Sequence, residues 1–200
     1  MKLSNGKLLV LFIFIFCAIW INSFVGTNDC ANWWIENILT FMSIIFLIFT
    51  YNRYRFTISS YFFIILFLSL HVYGSKYTYA DNVFGNWLQQ TLQLTRNPYD
   101  RIVHFSFGLL IYFPLKEFFN KWVKYPQNIS IYFPVVLILA LSGGFEIIEW
   151  LVADVFFKEQ GDAYLGTQGD VWDAQKDMAL AWVGSLLAAC LTIKKLSRTT

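Results

Sequence analysis

LLVLFIFIFCAIWINSFV, Leu8 to Val25, runs for eighteen residues without a charged side chain. Taken as a helix rising 1.5 Å per residue, a run of this length covers most of a hydrocarbon core about 30 Å thick. Lys2 and Lys7 precede it, as they would a signal peptide. No small-x-small cleavage pattern follows, however, and Phe16 before Cys17 does not fit a lipoprotein signal. The next apolar run begins directly after the short polar turn GTNDCAN (Gly26–Asn32). The segment is therefore expected to stay as the first membrane span.

Five further runs of similar character follow. The expected spans are about 8–25, 33–50, 56–73, 98–119, 131–152 and 171–193. Composition agrees: 57% of the 200 residues are hydrophobic and 14% charged, against roughly 45–50% and about 25% in soluble domains. The fold class is all-α, a polytopic membrane bundle of about six transmembrane helices in a single integral membrane domain, 1–200. A net charge of +2 gives no reason to expect a nucleic-acid partner; the partner implied is membrane lipid. Cys17, Cys30 and Cys190 show no paired spacing, so neither a disulfide framework nor a thiolate metal site is indicated.

Between the spans, Gly74 is expected to terminate the third, and residues 75–97 form the longest polar segment. Phe84, Trp87, Leu88 and Leu92 recur there at helical spacing, which suits a helix lying on the membrane surface. Asn97-Pro98 reads as a helix start, with Asn as cap and Pro as the first helical residue. KWVKYPQN, Lys121 to Asn128, reads as the turn after that span, and Gly143-Gly144 as a site of close helix packing. Tyr79 suits an interfacial aromatic belt.

Six spans place the end of the third, the start of the fourth, the end of the fifth and the start of the sixth on one side. The other side, with both termini and the 53–55 and 116–124 turns, carries ten Lys or Arg. The first side carries five: Lys76, Arg96, Arg101, Lys158 and Lys176. The positive-inside rule makes both termini cytoplasmic. His71, Asp100, His104, Glu146, Glu149, Asp170, Asp173 and Asp177 then gather at the outer end. Asp100 and His104 are four apart, Glu146 and Glu149 three apart, and the three aspartates three and four apart, so each set shares a helix face. Ionisable groups near hydrocarbon are costly, and four helices bearing them at one level point to a shared polar pocket.

Local roles compete with that pocket. Asp170 suits an N-cap with Asp173 in the first turn, and Asp100 suits a capping box after Asn97. Glu146 and Glu149 are harder to assign to such a role, because a helix end disfavours carboxylates, although Lys76, Arg96, Arg101, Lys158 or Lys176 could pair with some of these groups. Two imidazoles among several carboxylates suit a divalent metal such as zinc, iron or manganese. His71, Asp100, His104, Asp170 and Asp173 are the candidate ligands, with Glu146, Glu149 and Asp177 as candidate catalytic carboxylates. HExxH, GxSxG and glycine-rich phosphate loops are all absent.

Four segments together, HVYGSKYTYA (71–80), NPYDRIVHFSFG (97–108), FEIIEW (145–150) and LGTQGDVWDAQKDM (165–178), resemble the YjdF-like family of bacterial inner-membrane proteins. The resemblance spans roughly residues 70–190. It implies a multi-pass protein of the bacterial inner membrane and supplies no reaction.

Three functions fit these residues. A metal-dependent hydrolase acting on a lipid or envelope substrate needs the histidines and carboxylates to converge. A cation- or proton-coupled transporter or channel needs polar groups that continue toward the cytoplasmic side, where the spans are apolar. A non-catalytic scaffold needs each carboxylate to find a cap or a Lys/Arg partner, and no pocket.

Overall fold

The computed structural model describes residues 4–27, 29–156, 165 and 167–198. Lys2 and Lys158, which entered the charge count, lie outside the described residues. Among these there are seven α-helices: α1 (Asn5–Val25), α2 (Cys30–Thr50), α3 (Ile58–Ser75), α4 (Val83–Leu92), α5 (Tyr99–Phe118), α6 (Gln127–Phe156) and α7 (Asp173–Leu196). All but α4 are long and apolar enough to cross a membrane. The six expected spans are these six helices, with ends displaced by a few residues.

The larger differences have local causes. Gly74 does not end α3. The helix continues to Ser75 and the chain turns through Thr78 and Tyr79, both with a φ of 52°. The expected turn after α5 is shorter than its composition suggests. A π-helical turn, Phe119–Val123, carries the helix on, and α6 begins at Gln127. At this end Glu117 accepts from the Thr57 backbone N at 2.9 Å and from the Ser60 hydroxyl at 2.6 Å. The carboxylate thereby answers the Thr57 N–H at the start of α3.

In lipid, helices gain little from the hydrophobic effect on pairing, so close packing decides which ones meet. The tightest pair is α5 with α7. A Cβ on Gly108 would overlap the Ala181 carbonyl, and one on Gly184 the Phe105 carbonyl. Gly143 faces the Met178 side chain, while Gly144 faces open space, so only half of the expected glycine pair has a neighbour. Helix α5 also packs on α3 and α6, and α2 lies outside against α3. Buried side chains form two layers. Phe67, Leu68, Val72, Tyr99 and Val103 lie between α3 and α5, and Tyr112, Ile138, Ala181 and Ala188 join α5, α6 and α7. Val10 and Phe14 of α1 and Phe46 and Phe49 of α2 are exposed, as suits a surface solvated by lipid.

Candidate functional site

The site is built at the entry to α5. The Asn97 side-chain oxygen accepts from the Tyr99 backbone N at 3.0 Å, so Asn97 caps the helix although Pro98 occupies the cap position itself. Its amide donates to the Asn82 carbonyl and to the Asn86 side chain, each at 2.9 Å. That fastens α4 to α5. Gly85 is required beneath it, because a Cβ there would overlap the Asn97 amide. The segment before α7 is fastened to the same residue. Gln168 accepts from the Asn97 N at 2.9 Å and donates to the Asn97 O at 3.2 Å. Gln168 and Gly169, with φ of 50° and 83°, turn the chain back toward α7.

Above the bundle lies a layer of ion pairs. The Arg96 guanidinium grips Asp173 with both Nη atoms, and both side chains are more than 90% buried. Arg101 donates to Asp170 and stands 3.6 Å from Asp173, and Lys176 meets Asp170 at 2.6 Å. The hydrogen bond from Lys176, with those of the Trp172 N and Arg101, holds the Asp170 carboxyl well below the usual range, at about 2. Contrary to expectation, Asp170 is not the N-cap of α7; Trp172 holds that position. Asp170 instead closes an Asx turn on the Trp172 N at 3.1 Å, drawn two residues back by its cations. Lys76 takes no part, and donates to Asn22 at 2.9 Å.

Asp100, beside Arg101 on α5, also faces Arg96 at 3.9 Å, and one helical turn further along stand His104 on α5 and Asp177 on α7. Asp100, His104 and Asp177 each offer a ligand atom, and all three atoms lie within 4.8 Å of one another. His104 Nε2 stands 3.5 Å from Asp100 Oδ1 and 3.6 Å from Glu146 Oε1. Glu146 Oε1 and Asp177 Oδ1 are buried without a hydrogen-bond partner among the described residues. A cavity of about 720 Å³ reaches these groups together with Glu149 and Trp150. Asp170 and Asp173 also line it, but their oxygens face Arg96, Arg101 and Lys176.

His71 is engaged elsewhere. Its Nε2 lies 3.0 Å from the Glu36 carbonyl, to which it donates, and its Nδ1 lies 2.5 Å from the Tyr79 hydroxyl. Both ring nitrogens are thus occupied. Tyr79 is buried in the bundle rather than placed in an aromatic belt. Gly74 explains the shift, since its missing side chain leaves room for the Tyr79 ring. Burial, with the Glu36 carboxylate second, pushes the Tyr79 phenol well above its ordinary value. Glu36 was not among the sequence candidates, and it is buried on α2. Its signal was a lone carboxylate within an apolar span, a pattern that marks a functional position by default.

A polytopic helical membrane protein with a histidine- and carboxylate-lined cavity at one end of its bundle is the class that this geometry defines. The chain belongs to the family described as "Predicted membrane protein (DUF2238)", which matches residues 8–198. It is 34% identical over 163 residues to the inner membrane protein YjdF of Escherichia coli (strain K12), covering 81% of this chain and 78% of that one. The resemblance read from the four motifs is therefore confirmed. No solved structure matches the chain.

Proposed function

We propose that the chain is a bacterial inner-membrane protein that holds a divalent metal ion at Asp100, His104 and Asp177 and uses it for hydrolysis. The inner membrane is carried over from the similarity to the E. coli protein. The spacing around His104 carries the metal reading. Separations of 3.5 and 3.6 Å from Asp100 and Glu146 exceed the roughly 2.7–3.2 Å of a hydrogen bond. The His104–Asp100 separation is close to the ~3.4 Å between two ligands of a tetrahedral ion with bonds of about 2.1 Å. The bare Asp177 oxygen supplies an acceptor that an ion would satisfy, and the bare Glu146 oxygen one for a water beside it.

An ion held by Asp100, His104 and Asp177 would supply an activated water for hydrolysis of an ester. Glu146, 3.6 Å from His104, would take a proton from that water and return it to the leaving oxygen. Arg96, Arg101 and Lys176 keep Asp170 and Asp173 in the ion-pair layer, so those two carboxylates position the α7 entry. A pure scaffold is disfavoured by the cavity and by the two unmatched oxygens. Transport is disfavoured by the opposite end, where Glu117 is taken up by Thr57 and Ser60.

Elemental mass spectrometry of the detergent-purified chain tests this. About one metal per chain is expected, lost in His104→Ala and in Asp177→Asn and kept in His71→Gln. A metal-free wild type, or equal metal in all four proteins, overturns the proposal.

A further inference from the structure

The charges of the large cavity do not balance. Six carboxylates line it, and His104 is the only basic side chain among its described lining residues. Arg96, Arg101 and Lys176 reach three of the six, Asp100, Asp173 and Asp170. Glu146, Glu149 and Asp177 form no ion pair with these three cations. Asp177 is 2% exposed, and its Oδ1 has no hydrogen-bond partner among the described residues. A divalent ion at the three proposed ligands offsets two of the remaining charges and leaves one. An unmatched carboxylate at the end of a span is costly, so the cavity favours a ligand that brings a positive charge.

Glu149 is where that charge falls. It is neither a proposed ligand nor the proposed base, and it makes no hydrogen bond or ion pair among the described residues. It stands instead among the carboxylates of Glu36, Glu146, Asp100 and Asp177. Glu146, Glu149 and Trp150 are spaced i, i+3 and i+4, so one face of α6 brings two carboxylates and an indole to the cavity. A carboxylate beside an indole suits a primary ammonium. Its three N–H donors reach the oxygens, and the ring face attracts its charge. The rim is apolar: Trp150 is 56% exposed and Val171 85%, at the end of one span and just before the next. That is the depth at which an acyl chain meets its headgroup, and about 720 Å³ is within the roughly 300–1,000 Å³ of small-molecule sites.

We infer that the substrate is a lipid ester whose headgroup carries a primary ammonium, held by Glu149 against Trp150, with its acyl chain leaving past Val171. The word substrate rests on the hydrolase reading of this cavity. Recognition of the ammonium does not, because without the metal the excess of carboxylates is larger.

Native mass spectrometry of the full chain released from micelles tests it, with metal counted on the same samples. The probes are phosphatidylethanolamine and phosphatidylglycerol of equal chain length, and free phosphoethanolamine. The wild type retains phosphatidylethanolamine about tenfold more strongly than phosphatidylglycerol, and about tenfold more strongly than phosphoethanolamine. Glu149→Gln keeps its metal and brings the two lipids within about threefold of each other. Trp150→Ala weakens retention of phosphatidylethanolamine about threefold. Equal retention of the two lipids by the metal-loaded wild type overturns the inference. So does unchanged retention in either variant, loss of metal from Glu149→Gln, or phosphoethanolamine held as well as the lipid. A metal-free wild type that keeps the lipid preference overturns the hydrolase reading alone and leaves the ammonium site standing.

Discussion

His104 and His71 are the same residue type at the same end of the bundle, and they differ in what their nitrogens meet. His71 has a carbonyl on one side and a hydroxyl on the other, whereas His104 Nε2 faces two carboxylates beyond hydrogen-bond reach. Tyr79→Phe removes the partner of a buried ring nitrogen. It should lower stability by about 1–3 kcal/mol in denaturant unfolding and leave bound metal unchanged, and metal loss in that variant would join the two histidines in one site. Asp170 gives a pH signature. Its carboxyl, ordinarily near 3.8, is held at about 2 by Lys176, Trp172 and Arg101. A depressed value means its stabilisation is complete above pH 4 and fades as pH falls toward 2. The melting temperature of the wild type should fall across that window, and that of Asp170→Asn should fall less. Composition and spacing singled out each carboxylate that lines the cavity among the described residues, and missed Glu36, which is buried on α2. They did not tell which would meet a cation, since Arg96 and Arg101 reach Asp173 and Asp170 across more than sixty residues of chain.

At the scale of elements, α5 and α7 are joined by glycines that periodicity alone does not single out. Gly143-Gly144 drew notice as an adjacent pair, yet Gly108 and Gly184, far apart in the chain, make the close contact. Helical register says which residues share a face and is silent on which helix that face meets. Gly184→Val drives a side chain into the Phe105 carbonyl and should cost about 1–3 kcal/mol or more. Gly144→Ala meets open space and should be neutral or stabilising by up to about 1 kcal/mol. Unfolding in mixed micelles separates the two, and equal behaviour would contradict the close packing of α5 on α7. Helix α4 was more legible. Of the expected stripe Phe84, Trp87 and Leu92 are exposed on it and Leu88 is half-buried, and Asn82 caps it through the Gly85 N at 3.1 Å.

For the whole molecule, the long apolar runs were enough to give six spans, because a bilayer leaves the backbone few alternatives to helix. Which side the cavity faces is argued from ten cations against five, and we propose that it opens away from the cytoplasm. Cys30, exposed at the start of α2, is a natural probe. A membrane-impermeant maleimide should label it in intact cells carrying Cys17→Ser and Cys190→Ser, and protection there would invert the topology. The metal itself is tested most directly by X-ray absorption at the metal edge of the purified protein. An ion at Asp100, His104 and Asp177 predicts a first shell of nitrogen and oxygen at about 2.0–2.2 Å, with the imidazole scattering lost in His104→Ala. A spectrum unchanged by that substitution, or one showing only water oxygens, would contradict a metal centre in this cavity.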